Sequence, residues 1–145
     1  QEGSLYRYQP RQGQKPTPSM TAEALLCRVY LGWTRDDPRL RKGMNWLREK
    51  HPPQETSDSL YYWYYGTQLF HHLGGEAWDQ WNTEMRDLLV NIQEKRGTQA
   101  GSWSPDKFKY GRQGGRIYTT ALAVCILEVY YRHLPLFKQL DIDGS

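Results

Sequence analysis

Over residues 21–33 the apolar positions Ala22, Ala24, Leu25, Leu26, Val29 and Leu31 fall on nearly every side of a helix, the pattern of an inner helix surrounded by others. It is expected to start near Ser19 or Thr21, after residues 1–18, where Pro10, Pro16 and Pro18 predict a loop. Asp37 followed by Pro38 reads as an N-cap with proline at the first helical position. Over 39–50, Leu40, Met44, Trp46 and Leu47 recur at helical spacing opposite a basic face, predicting an amphipathic outer helix that Pro52 and Pro53 end. Asp58 or Ser59 caps a second dense apolar helix, 60–73, which carries five consecutive aromatics from Tyr61 to Tyr65 and stops at Gly74 and Gly75. The segment 78–95 sets Trp78, Trp81, Met85, Leu88, Leu89 and Ile92 against Asp79, Glu84, Asp87, Asn91 and Glu94, and predicts a second outer helix. After a Gly-rich loop over 96–115, residues 116–133 form a third inner helix that Pro135 stops. The order inner, outer, inner, outer, inner, with no sustained period-2 alternation, predicts an all-α fold.

The pattern returns along the chain. A constant offset of 98 (125 − 27 = 98) pairs Gln1 with Gln99, Gly3 with Gly101, Ser4 with Ser102, Gly13 with Gly111, Thr21 with Thr119 and Cys27 with Cys125. Similar residues fill the gaps: Arg11 with Lys109, Leu26 with Val124, Val29 with Leu127, Leu31 with Val129 and Trp33 with Tyr131. A shorter offset of 43 (69 − 26 = 43) places Thr21 on Tyr64, Leu26 on Leu69 and Leu47 on Val90. Self-similarity at a fixed period marks stacked supersecondary units. The expected organisation is a loop over 1–18, a domain of about two and a half helix-pair repeats over 19–137 and a tail over 138–145.

Composition narrows the function classes. Net charge is +3 and the 19 basic residues are scattered among 16 acidic ones, so no basic stripe marks a nucleic-acid partner. No apolar run reaches membrane-spanning length and the N-terminus lacks a charged-then-apolar leader, which predicts a soluble chain of unassigned compartment with no targeting segment. Cys27 and Cys125 lie in apolar runs without metal-ligand spacing and are expected to be reduced core thiols. Aromatics reach 14% with 11 Tyr and 6 Trp, an excess that calls for a packing or binding explanation.

The outer-helix segments resemble the QW repeat of squalene and terpenoid cyclases. There a basic residue, a small residue, an aromatic-aliphatic pair, a Gln and Gly-x-Trp recur. Lys42, Gly43, Trp46 and Leu47 match the first half, with His51 at the Gln position. The second copy keeps Leu88-Leu89, Gln93, Gly97 and a delayed Gly101-Ser102-Trp103. In such a repeat the Gln amide satisfies backbone groups at a helix end, the Trp covers the turn and the Gly permits close approach. The tract from Tyr118 to Leu122, followed by Glu128-Val129-Tyr130-Tyr131, is also similar to the inner helices of that superfamily. The resemblance implies an α/α-toroid-like arrangement of helical hairpins, shared with protein prenyltransferases, of which this chain would form part. An open repeat end would then be covered by the rest of a longer chain or by a protein partner.

The chemistry of those relatives is not matched. The Asp-x-Asp-Asp acid run of the cyclases, the separated Asp, Cys and His zinc ligands of the prenyltransferases and the Cys-Gly-Glu-Gln run of thioester domains are all missing. Asp36-Asp37 reads as a helix cap. His71 and His72 are adjacent, whereas a two-His metal site on a helix uses i and i+4, so neither metal nor cofactor is expected. Asp141-Ile142-Asp143-Gly144-Ser145 resembles only the first half of a calcium loop. Tyr61, Tyr65, Gln68 and His72 share one face of the second inner helix and are the candidate ligand-binding residues; alternatively their rings fill the core. The expected function is a non-catalytic module that meets a protein partner or holds an apolar or carbohydrate ligand. Two other readings stay open: a fragment of a terpenoid cyclase-like enzyme whose acid motif lies outside this chain, and a sugar-processing toroid using Asp58 or Glu128 as a carboxylate.

Overall fold

A computed structural model describes residues 3–9, 13–54 and 59–132, and within them the chain is all-helical with no strand. Gln1, Pro10, Arg11, Asp58, Pro135 and the expected tail 138–145 lie outside the described residues. The helices are α1 Pro18–Tyr30, α2 Pro38–Lys50, α3 Leu60–Leu73, α4 Gly75–Ile92, α5 Gly111–Leu127 and α6 Val129–Arg132. Two 3-10 turns, Gly97–Gln99 and Pro105–Lys107, occupy the long connection before α5, part of which was expected to be plain loop.

Caps set most boundaries. Thr17 caps α1 through a bond from the Met20 N–H to its Oγ1, so the helix begins at Pro18, a residue earlier than expected. Asp37 accepts from the Arg39 N–H at 2.8 Å, with Pro38 opening α2. Ser59 caps α3 through the Tyr61 N–H. Gly74 alone joins α3 to α4, which starts at Gly75 rather than at Trp78 and ends at Ile92 rather than Lys95. The third inner helix begins at Gly111, is broken at Gly115 and stops at Leu127, leaving 129–132 as the separate turn α6.

α3 is the centre of the molecule, packing against α1, α5, α4 and α6, while α2 lies on α1. α1 and α3 run parallel, since Tyr61 meets Glu23 near their starts and Tyr30 meets His72 near their ends. Tyr62 ties the outer helices to one side of α3. Its hydroxyl donates to the His51 carbonyl after α2 at 2.7 Å, and its ring lies edge-on to Trp81 of α4. Trp81 stacks on Phe70 at 4.5 Å and donates its indole N–H to Thr67 at 2.9 Å. Tyr62, Trp63, Leu69, Phe70 and Trp81 are all buried, forming an aromatic core around α3.

Only α3 is buried on nearly every side. α1 buries Thr21, Ala22, Leu25, Leu26 and Val29, and α5 buries Gly111, Thr119, Ala123 and Ile126. The expectation of three all-round apolar helices is therefore corrected for the two flanking ones, because each has an inner-helix neighbour on one side only. Cys27 is exposed and Cys125 half-buried, both as free thiols, so they are not core residues; they lie on the side of α1 and α5 that α3 and the outer helices leave open.

Part of the 98-residue repeat recurs in the backbone; the pairing of Gly13 with Gly111 needs correction, since Gly13 is an exposed turn residue at positive φ and Gly111 is buried in the first turn of α5 without one. Gly3 and Gly101 adopt positive φ, and Thr21 and Thr119 are both buried with their hydroxyls on the loop that precedes them. Thr21 Oγ1 donates to the Tyr6 carbonyl and accepts from its N–H, while Thr119 Oγ1 donates to the Trp103 carbonyl at 2.7 Å. The 43-residue register needs correction. Leu47 is buried but Val90 is half exposed, and the equivalent of Leu47 is buried Leu89, in step with the C-caps His51 and Gln93 (93 − 51 = 42). On the inner helices the buried stripe Ala22, Leu25, Val29 corresponds to Gly66, Leu69, Leu73 (69 − 25 = 44). The two registers differ because residues 31–37 join α1 to α2, whereas Gly74 alone joins α3 to α4.

Candidate functional site

The half-motifs singled out in the sequence do structural work. Gln93 caps α4 and donates its amide to the Gly101 carbonyl at 3.0 Å, and buried Trp103 donates its indole N–H to the Leu89 carbonyl in the last turn at 2.8 Å. These bonds draw the loop after α4 back over the helix end, satisfying groups a helix terminus leaves open. Gly101 is required for its φ of 85° and not for close approach, since no atom lies within 4 Å of the position a Cβ would take. Close approach instead applies to Gly43, on which the Ser4 carbonyl and Leu25 rest. Trp46 is half-buried over His51, with ring centroids 4.5 Å apart, Leu47 is in the core, and Lys42 is exposed.

A cleft of about 460 Å³ opens where the N-terminal ends of the three inner helices converge. Thr17 to Met20 come from the start of α1, Ser59, Tyr61 and Tyr62 from that of α3, and Lys109, Tyr110 and Tyr118 from the entry to α5, with Tyr8 arching in from the N-terminal loop. Five tyrosines thus surround hydroxyls of Thr17, Ser19 and Ser59 and one ammonium. Tyr110 holds a left-handed backbone (φ 63°), the one positive φ among the described non-glycine residues, which places its exposed ring at the rim with the Lys109 ammonium 5.2 Å from its centroid. Tyr61 donates to Glu23 Oε2 at 3.2 Å. Burial, then the neighbouring Tyr65 and Glu23, pushes its hydroxyl well above the ordinary tyrosine range, and burial raises Tyr118 as well. These phenols stay neutral and present O–H groups as donors and acceptors.

The four candidate ligand residues do not stay together at this cleft. Tyr61 lines it, and Tyr65 packs edge-on to Tyr61 at 4.7 Å. Gln68 and His72 are buried, Gln68 bonding to the Tyr64 carbonyl and His72 lying 3.1 Å from the Tyr30 hydroxyl. The stripe is mainly the side of α3 that α1 covers. Periodicity fixes which residues share a face, but the neighbouring helix decides whether that face is open. Sequence reasoning missed Tyr8, Tyr110 and Tyr118. The long repeat carried one usable signal, since Met20 and Tyr118 are equivalent positions and both line the cleft. Glu128 sits at the opposite end of α5, within 3.4 Å of Arg132, and does not line the cleft; Asp58 lies outside the described residues. Among the described residues no group of three or more His, Cys, Asp or Glu side chains is placed to hold a metal, and no helix is long and apolar enough to cross a membrane. Comparison of the chain with protein-family models, curated proteins and solved structures finds no match.

Proposed function

We propose that this chain is a binding module built on helical-hairpin repeats of the squalene cyclase and prenyltransferase kind, and that it holds a neutral carbohydrate-like ligand in the cleft at the starts of α1, α3 and α5. The observation that carries this reading is the lining itself: five tyrosine rings with hydroxyls between them, and no carboxylate among the described lining residues. Rings offer flat apolar faces to the C–H side of a sugar, while phenol and serine hydroxyls exchange hydrogen bonds with its O–H groups. Acid-base hydrolysis or carbocation chemistry would call for a carboxyl group in the cleft, and among the described residues none lines it, Glu23 being engaged by the Tyr61 hydroxyl. The degenerate QW segments support kinship with that scaffold, since Gln93 and Trp103 bind the loop after α4 to the helix end as the resemblance implies.

The reading is tested by titrating neutral gluco-, manno-, xylo- and chito-oligosaccharides into the protein while following tyrosine ring resonances by NMR. Saturable shifts confined to Tyr8, Tyr61, Tyr110 and Tyr118, lost in Tyr110→Ala and kept in Tyr110→Phe, are expected. No saturable response to any of these sugars, or a response indifferent to Tyr110→Ala, overturns it.

A further inference from the structure

The 98-residue repeat makes α1 and α5 equivalent helices, and each of their two open sides exposes a residue whose counterpart is buried. α1 meets α3 through the face that carries Glu23, Leu26 and Tyr30, and Leu26 is 3% exposed there. The same face of α5 carries Ile117, Val124 and Glu128 and has no helix against it among the described residues, leaving Val124 44% and Ile117 88% exposed. At the other end, Val129 packs with α6 onto α3 and is 1% exposed, whereas its equivalent Leu31, the C-cap of α1, is 74% exposed. Among the described residues, one end is therefore an uncovered copy of the α1–α3 junction, and the other carries the surface that fills such a junction.

We propose that these two ends meet between copies of this chain, the Leu31 side of α1 in one copy docking on the Ile117–Val124 face of α5 in the next. The charges agree with that pairing. At the α1–α3 junction Tyr30 meets His72, and the positions equivalent to them at the open ends are Glu128 (98 after Tyr30), which also accepts from exposed Arg132 of its own chain at 3.4 Å, and exposed Arg28 (44 before His72), whose Nε reaches the Tyr6 hydroxyl at 3.4 Å. Docking in the established register brings an acidic side chain against a basic one, with apolar Val124 and Leu31 beside them. The contact is head to tail, so each copy keeps one end free until a ring closes. The inference rests on the repeat and is independent of what the cleft binds.

The test uses the 145-residue chain in sedimentation velocity over a wide concentration range. Val124→Glu blocks the α5 face and Leu31→Glu the α1 side; both residues are exposed, and circular dichroism with thermal melting checks that the variants fold as the parent does. The parent is expected to gain mass with concentration, each variant to remain monomeric, and an equimolar mixture of the two to form a 1:1 dimer that grows no further. Glu128→Arg and Arg28→Glu should each weaken association at least about tenfold, and the doubly swapped chain should regain it. A parent that stays monomeric throughout, the result expected if another protein were the occupant, overturns the proposal. So does a mixture that fails to pair, or a Leu31→Glu chain that still self-associates, the result expected if α5 faces met each other.

Discussion

Replacing Gly43 by alanine tests how the N-terminal loop is seated on α2. A Cβ at this position would fall within clash distance of the Ser4 carbonyl oxygen and 2.5 Å from Leu25 Cδ1. The first obstacle is backbone in a buried turn and the second is a core side chain, so neither yields readily. Inserting a methyl group into such packing costs about 1–3 kcal/mol, with two simultaneous overlaps pointing to the upper half. Alanine regains about 0.8–1 kcal/mol over glycine inside a helix. The net expectation is a loss of about 1–2 kcal/mol, which for a chain of this size lowers Tm by about 5 °C at roughly 2–4 °C per kcal/mol. Urea denaturation followed by circular dichroism reads the change as a lower midpoint at unchanged slope. Gly66→Ala is the control. Its Cβ comes tight only against the Trp81 ring, at 3.0 and 3.2 Å, with the Tyr62 ring in ordinary contact at 3.6 Å, and a ring edge can shift by tenths of an ångström, so it should stay within about 1 kcal/mol of the parent. A Gly43→Ala protein more stable than the parent, as helix propensity alone would make it, refutes the close contact between residues 3–6 and α2.

Two further outcomes follow from the packing and the phenols. Trp103→Phe deletes the indole N–H that the Leu89 carbonyl accepts and shrinks a buried side chain, and should cost about 1–3 kcal/mol in the same assay; an unchanged urea midpoint would show that the loop after α4 is not held by this ring. Tyr61, Tyr118 and Tyr30 all have hydroxyls raised above their ordinary value of 10.0 by burial first. Their neutral forms favour the folded state, so their contribution is complete below about pH 10, the unfolded tyrosine range, and declines as pH rises above it toward the folded values. Melting temperatures taken from pH 9 upward should therefore fall, and fall less steeply in Tyr61→Phe; equal slopes in the two proteins would contradict the burial of that hydroxyl.

Most of the helical framework could be read from the residues because local signals agreed with tertiary packing. Asp37-Pro38 and Ser59 cap in the structure as their chemistry predicts, and the stripe Trp78, Trp81, Met85, Leu89 and Ile92 is buried as its spacing requires. Errors fell where two principles competed. Gly75 reads as a helix stop, yet Gly74 turns the chain by itself and α4 starts at once. The run 96–115 reads as loop from its glycines, but Ser104 and Pro105 nucleate a 3-10 turn and α5 begins before Gly115 breaks it. Cys27 and Cys125 sit in apolar runs and still reach the surface, because an apolar sequence does not reveal on which side of a helix a neighbour is missing.

The cleft was harder to read for a related reason. Tyr61, Tyr65, Gln68 and His72 align on one side of α3 by helical period alone, and α1 then takes up most of that side through Tyr30 and its neighbours. The residues that do surround the cleft come from the starts of three helices and from the loop holding Tyr8, so no single helical period contains them. Comparison between copies is the better guide in such a chain. Equivalent positions face equivalent surroundings wherever the junction is complete, as the buried pair Thr21 and Thr119 and the cleft pair Met20 and Tyr118 illustrate. Where equivalence fails, as for Leu26 against Val124 and Val129 against Leu31, the mismatch locates a surface that the repeat leaves uncovered. The same stretches of sequence therefore report both the packed junctions and the vacant ones, provided the copies are read against each other and not one helix at a time.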